Sequence, residues 1–166
     1  MRILGIDPGL AIVGWGVLDY ERSKFKTVAY GSLTTPAGLS TEERLSMIYD
    51  GIKQLIDTYR PQDMAIEELF FNTNVTTGIR VAEARGVLLL AAKQHGLQIA
   101  EYTPPQVKQG VVGYGKAEKK QVIAMVTTLL GLKEAPKPDD TADALAIAIC
   151  HAHSGGSRLA AYYNIR

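Results

Sequence analysis

Acidic side chains stand at four places where a predicted element begins or ends: Asp7, Glu67 with Glu68, Asp139 with Asp140, and Asp143. Asp7 and Glu67 each close a segment that starts apolar and reads as a short strand. If those strands are parallel neighbours, both acids reach the same edge of a sheet, where ligands of α/β folds bind. Asp140 and Asp143 are three residues apart, so they share a helix face. A helix crossing that edge would add its first turn to the cluster. Carboxylates gathered with no Lys or Arg beside them repel and need a cation. Hard oxygen donors select Mg²⁺ or Mn²⁺, and the His/Cys spacing of a zinc site is absent. Two such ions roughly 3.5–4 Å apart stabilise the attacking and leaving oxygens of a phosphodiester.

Each acid also has a plain structural reading. Asp7 before Pro8-Gly9 is a good turn former, the Asp139–Asp143 acids complement a helix dipole, and Glu67 with Glu68 reads as a solvated strand end. Spacing does not choose between Asp139 and Asp140, since an i,i+4 pair with Asp143 is as good as an i,i+3 pair. Nor does it exclude Glu68, although strand alternation sends Glu67 and Glu68 to opposite faces.

The elements that would carry these residues follow from periodicity and punctuation. Arg2–Asp7 reads as a buried strand ending at Asp7-Pro8-Gly9, and residues 13–20 and 24–32 as two more around a charged turn at 21–23. Ser40-Thr41-Glu42-Glu43 fits a capping box. Leu45, Ile48, Ile52, Leu55, Ile56 and Tyr59 then recur at helical spacing, which predicts a helix over Thr41–Tyr59 that stops at Arg60-Pro61. Residues 64–67 form a strand and 74–95 a long helix closed by Gly96. Residues 97–102 alternate as a strand. Thr103 caps a short helix with Pro104 at its first position, residues 118–130 form another closed by Gly131, and Asp139–His153 is the last. Short links make the first three strands antiparallel, and returns through helices make the later two parallel. The expected fold is α/β, one mixed five-stranded sheet with helices on both faces. Residues 1–154 are one domain and 155–166 a mobile tail.

Bulk properties agree and exclude some classes. The 166 residues are 46% hydrophobic and 21% charged, which suits one folded domain rather than a disordered chain. No apolar run reaches the roughly 18 residues of a membrane span, and the N-terminus has no apolar core of a secretion signal. A single cysteine, Cys150, cannot form an intrachain disulfide, which fits a reducing cytoplasm, and its helical Ala/Ile surroundings predict a small buried side chain. A net charge of +1 announces no nucleic-acid partner by itself. Any such case rests on local arrangement.

One local arrangement is basic. Lys108, Lys116, Lys119 and Lys120 fall around Gly113 and Gly115, where lysines could neutralise phosphates and glycines let a backbone approach. A solvated helix face is the plainer reading. Arg80 and Arg85 are candidates on charge alone. Phe70 and Phe71 follow the acidic strand end; two adjacent aromatics cannot easily both face the core, though both could pack under the loop. The long helix carries Ala82, Ala84, Gly86, Ala91 and Ala92, small residues that suit either a core or a close helix–helix contact. His95, His151 and His153 read as structural or exposed.

At these same residues the sequence resembles the RuvC family of Holliday-junction resolvases. The blocks ILGIDPGLAIVGWGV, AIEELFF, AEARGVLLLAA, QVKQGVVGYGKAEKKQV and DDTADALAIAICHAH stand in family order over nearly the whole chain, from Met1 to about His153. The resemblance implies a ribonuclease-H-like fold, and a crossover junction endodeoxyribonuclease that cuts two opposed strands of a four-way DNA junction in homologous recombination and repair. It implies metal-dependent hydrolysis by two Mg²⁺ ions per site, with Mn²⁺ able to substitute, and ends bearing 5′-phosphate and 3′-hydroxyl. The metal-binding acids it implies are Asp7 in IDPG, Glu67 in AIEE, and Asp140 with Asp143 in D-x-x-D-A-L-A, with Glu68 left outside. Lys108 in QVKQ and Lys119 in AEKKQ match its DNA-contacting lysines. Lys116 is added at a position that varies, and Phe70 as an aromatic that stacks on an unpaired base. A homodimer using the long helix, RuvA and RuvB as partners, and a bacterial cytoplasmic location complete the expectation. Two other readings share the scaffold. An actin-like ATPase would need a second domain to enclose ATP, and a non-catalytic junction binder would be expected to lose one of the four acids.

Overall fold

The computed structural model describes residues 1–69 and 75–155. Its elements in chain order are β1 (Arg2–Asp7), β2 (Ile12–Glu21), β3 (Lys24–Thr34), α1 (Thr41–Tyr59), β4 (Asp63–Glu67), α2 (Val75–Gln94), β5 (Gln98–Tyr102), α3 (Pro104–Val112), α4 (Lys119–Leu129) and α5 (Asp139–His153). The five strands form one sheet in the order β3-β2-β1-β4-β5. β2 pairs antiparallel with both β1 and β3, while β4 pairs parallel with β1 and with β5. The expected sheet is therefore the one present. Phe70, Phe71 and the segment 156–166 lie outside the described residues.

Local signals set the helix starts. The Ser40 hydroxyl accepts from Glu43 N–H and the Glu43 carboxylate accepts from Ser40 N–H, closing the capping box of α1. Thr103 and Gln106 do the same for α3, with proline in its first turn.

Strand alternation divides the interior into two cores. Leu4, Ile6, Val13, Val17, Met64 and Ile66 face α1 and α2, meeting Ile48, Ile52, Leu88 and Ala91. Ile3, Leu18 and Ala65 face the other way, against α3, α4 and the nearly all-buried α5. On this second face run Ile3, Gly5 and Asp7 of β1, and Ala65 and Glu67 of β4, two residues apart each. The β1–β4 register places Ile6 beside Ile66, so Asp7 and Glu67 follow side by side at the carboxyl edge.

How α5 comes so close to this face is visible at two glycines. A Cβ at Gly5 would stand 2.1 Å from the Ala144 carbonyl oxygen, and one at Gly14 would stand 1.9 Å from that of Asp140. Gly14 is the antiparallel partner of Asp7. The missing side chain at Gly14 is thus what lets the first turn of α5 lie directly over the strand pair that carries Asp7. Thr141, fully buried, donates its hydroxyl to the Gly31 carbonyl of β3 at 3.1 Å and fixes that first turn from the other side.

The far end of α5 is held by a buried imidazole. His151 Nε2 lies 3.0 Å from Asp63 Oδ2 and its Nδ1 lies 2.8 Å from the Tyr102 hydroxyl. One side chain therefore ties α5 to the start of β4 and the end of β5, which is the structural role expected of it. Cys150 is buried as expected, and burial pushes its thiol up to about 11, so it is a poor nucleophile.

Candidate active site

β1, β4 and α5 bring Asp7, Glu67, Asp140 and Asp143 to one edge of the sheet. Their mutual influence shows in the proton affinity of Asp7. Burial first, then the charges of Asp143, Glu67 and Asp140, push its carboxyl up to about 8 against an ordinary 3.8, with Lys119 pulling the other way. Glu67 is raised by burial and by Asp143, and lowered by Lys119 and Lys108. Asp139 is absent from the groups acting on Asp7 and projects outward, whereas the Asp140 backbone lies over Gly14. Geometry therefore separates the two adjacent aspartates that spacing left equivalent. Glu68 is exposed, its N–H continuing the ladder to the Tyr102 carbonyl at 2.8 Å.

The expectation that no basic group stands beside the acids is corrected. Lys119, at the first position of α4, places Nζ 2.9 Å from Asp143 Oδ2 and 3.5 Å from Asp139 Oδ2. Burial works against its charge, but the two aspartates outweigh that and raise its proton affinity. The sequence hides this pair because 24 residues separate its members and the α3–α4 and α4–α5 links fold α4 back over α5. Among the described residues, no three carboxyl, imidazole or thiol groups are already drawn into a closed ligand set. The donors are nevertheless of the kind a hard divalent cation takes: four carboxylates, with the Asp7 carboxyl pushed up by burial and by its three acidic neighbours. The residues fit such an ion.

Two clefts open at this edge. One, of about 220 Å³, is lined by Glu67 and Asp143 together with Lys108 of α3 and Lys119 of α4. The other, of about 250 Å³, is lined by Asp7, Glu67, Glu68 and Val81 of α2. Glu67 and Pro104 belong to both, so the acids sit on the ridge between them. Lys108 and Lys119 thus meet at the acids, while Lys116 is exposed on the α3–α4 loop and Lys120 points to Glu118 at 2.9 Å. On the same loop Tyr114 is 47% exposed and its hydroxyl donates to Gln121 Oε1 at 2.9 Å. The sequence signal for this aromatic is its placement between Gly113 and Gly115, beside the lysines.

Arg80 is exposed, but Arg85 is not the free surface cation its charge suggested. Its guanidinium turns inward, Nε donating to the Glu67 carbonyl oxygen at 3.0 Å and NH2 pairing with Glu101. Of the two readings of the small residues of α2, the core holds for Ala84 and Ala91. Ala84 and Ala91 are fully buried inside the chain, so a Glu at either would disrupt the core rather than probe a partner. The outward stripe of α2 is Ile79, Gly86 and Leu90, with Ile79 and Leu90 51% and 53% exposed.

This sheet order, with carboxylates on β1, β4 and α5 at one edge, defines a ribonuclease-H-like enzyme. The comparison with known proteins is narrower. A sequence model described as "Crossover junction endodeoxyribonuclease RuvC" matches residues 3–151. A protein of that name from Alkaliphilus oremlandii is 59% identical over 155 residues, covering 93% of this chain and 94% of its own. Another from Clostridioides difficile is 58% identical over 154 residues, covering 93% and 91%. Among solved structures, "T. thermophilus RuvC in complex with Holliday junction substrate" superposes with a TM-score of 0.89 at 37% identity, over 94% of this chain and 95% of that one. The chain belongs to the RuvC family of crossover junction endodeoxyribonucleases.

Proposed function

We propose that this chain resolves four-way DNA junctions by hydrolysing one phosphodiester in each of two opposed strands. The observation that carries the reading is the gathering of Asp7, Glu67, Asp140 and Asp143 from three elements onto one edge, in a chain so similar to a RuvC solved with its junction. These four carboxylates would hold two Mg²⁺ ions, or Mn²⁺, which supply activation of a water and stabilisation of the leaving oxygen. Water adds to phosphorus and the P–O3′ bond breaks, leaving a 5′-phosphate and a 3′-hydroxyl. Lys108 and Lys119 line the cleft beside Glu67 and Asp143 and would neutralise the phosphates entering it. Lys116 and the Tyr114 ring extend this surface along the loop, the ring offering a base a flat face. Phe70 follows directly on the segment that leaves the site and is retained as a stacking residue. RuvA and RuvB are retained as partners and the bacterial cytoplasm as location. No helix among the described residues is long and apolar enough to cross a membrane.

The test is a nicking assay on a labelled synthetic four-way junction, with matched linear duplex as control. Symmetric nicks in Mg²⁺, none in EDTA and an intact duplex are expected. Junction binding without cutting in Mg²⁺, or equal cutting of the duplex, would overturn the reading.

Lys108 is the cleaner basic probe, because Lys119 also touches Asp143. Lys108→Ala is expected to lower junction affinity and to reduce the log–log slope of affinity against salt by roughly 1, the signature of one lost phosphate contact. An unchanged slope would leave Lys108 a cleft wall only.

Metal loading should carry a proton signature. The raised Asp7 carboxyl means that the metal-free folded protein binds a proton more tightly than the unfolded chain between 3.8 and about 8. Stability of the metal-free protein therefore falls as pH rises through that window. Because ligands must be deprotonated to bind metal, apparent Mn²⁺ affinity should rise with pH and level off above about 8. Calorimetry at pH 7 in buffers of different protonation enthalpy should show release of about one proton per site. Asp7→Asn should abolish that release.

We infer a homodimer across the Ile79–Gly86–Leu90 stripe of α2, whose 7- and 4-residue steps line one helix face. A two-fold pairing of this face with itself is the simplest closed assembly, and it suits an enzyme that cuts two strands. Leu90→Glu should shift sedimentation towards monomer with little change in melting temperature. Ala84→Glu should instead unfold the chain. A wild-type monomer that makes paired incisions would refute the dimer.

A further inference from the structure

Glu67 occupies an awkward place for a residue that has to hold a fixed position. It is the last residue of β4, and the register with β1 ends one residue earlier at Ile6–Ile66. On the β5 side it is the partner of Tyr102, the last residue of that strand. Its backbone thus lies just past the end of the β1 ladder, with one further bond to β5, from Glu68 N–H to the Tyr102 carbonyl. Arg85 of α2 meets it there. The guanidinium Nε–H donates to the Glu67 carbonyl oxygen at 3.0 Å, and the NH2 of the same group pairs with Glu101, the residue before Tyr102. The Arg85 side chain is only 14% exposed. A planar group that holds two separate donors in fixed relation can join the two strand ends at once, which the single ammonium of a lysine cannot do.

We propose that Arg85 is a positioning residue for Glu67: it fixes the backbone from which the carboxylate reaches towards metal. This rests on the reading of Glu67 as a metal ligand. The role is geometric rather than electrostatic. The groups that shift the Glu67 carboxyl are its burial, Asp143, Lys119 and Lys108, and Arg85 is not among them. Arg85 acts on the carbonyl at one end of the residue while the carboxylate at the other stays free for a ligand. It also joins the site to α2, the helix whose opposite side carries Ile79, Gly86 and Leu90.

The experiment measures Mn²⁺ binding by calorimetry on the DNA-free protein, alongside melting in EDTA and nicking as a function of Mg²⁺ and junction concentration. Arg85→Lys is expected to weaken Mn²⁺ binding about tenfold or more, the usual scale for losing a group that orients a metal ligand. Its nicking should recover towards wild type at high Mg²⁺ with the KM for junction unchanged. Glu101→Gln, which loosens the guanidinium without removing it, should shift Mn²⁺ affinity in the same direction by less. If Arg85→Lys does not fold, Glu101→Gln decides by the same measurement. Unchanged Mn²⁺ affinity per folded molecule would overturn the proposal and leave Arg85 as scaffold. A raised junction KM with unchanged metal dependence would overturn it in favour of a DNA contact. Calorimetry reads this without DNA, so a wild type that binds Mn²⁺ but cuts no junction would sink the function proposed above while leaving the role of Arg85 decided on its own evidence.

Discussion

Asp7→Asn, Glu67→Gln, Asp140→Asn and Asp143→Asn should each reduce junction nicking by about 10³-fold or more, at least ~4 kcal/mol of transition-state stabilisation. Junction binding in EDTA should survive in all four. Each amide keeps the size of the side chain and removes a charge from a cluster in which charge is in excess, so the fold should tolerate it. Asp7 gives the strongest case. Its carboxyl is pushed up to about 8 by burial and three neighbouring acids, which is a cost to the metal-free protein. Asp7→Asn should therefore melt at the same or a higher temperature than wild type above neutral pH, while losing activity. Gain of stability with loss of function is what a site held in place for a cation produces. Asp139→Asn is the internal control. Asp139 is more exposed than Asp143 and shares only the outer side of Lys119, so this variant should keep near wild-type nicking. If Asp139→Asn is inactive and Asp140→Asn cuts normally, the assignment at the start of α5 is wrong by one residue. Gel shift in EDTA and nicking in Mg²⁺ on the same preparations decide it.

What the sequence made legible follows from how local the signal is. Alternation in Ile3-Leu4-Gly5-Ile6-Asp7 and Met64-Ala65-Ile66-Glu67 puts both acids on one face, and the structure has them there. Ser40–Glu43 and Thr103–Gln106 each announce a helix start within four residues. The choice of Asp140 over Asp139 needed either the family motif or the third dimension, because it depends on Gly14, some 126 residues earlier in the chain. Lys119 beside Asp143 and Arg85 beside Glu67 were equally out of reach, since pairing across separate elements leaves no period in the sequence. Ala84 and Ala91 leave two readings open in the sequence. A small residue on a helix is as useful for packing on a sheet as on a second helix, and only burial tells the two apart. Ile79 and Leu90, large and outward, carry the sharper message, because apolar side chains of that size left in solvent on one helix face ask for a cover.

Gly14→Ala should be among the most damaging single methyls at the described glycines. A Cβ at this position would lie 1.9 Å from the Asp140 carbonyl oxygen and 2.3 Å from its carbonyl carbon. The obstacle is backbone, so no rotamer change relieves it. Either β2 or the first turn of α5 has to move by more than 1 Å to restore ordinary contact. Thr141, one residue on, is fixed to the Gly31 carbonyl of β3 and is fully buried, which resists a simple outward swing of the helix. Overpacking of a well-filled interior costs roughly 1–3 kcal/mol and more where nothing yields, so a fall in melting temperature is expected. The functional cost should exceed the stability cost. A displacement of about 1 Å at reacting groups is worth roughly 10²-fold in rate, and Gly14 is the register partner of Asp7, so the shift falls between Asp7 and Asp140. Gly51→Ala supplies the comparison. Gly51 lies in α1, and its added Cβ would meet the far end of the Leu33 side chain at 2.9 Å, on the face of the sheet opposite α5. It should lose some stability and keep most nicking per folded molecule. For Gly14→Ala, nicking per folded molecule should fall about a hundredfold with Mn²⁺ affinity lowered in parallel. A Gly14→Ala protein that melts lower yet nicks normally once corrected for folded fraction would show that α5 can retreat without disturbing the acids. It would remove the close approach at Gly14 as the reason Asp7 and Asp140 share one site.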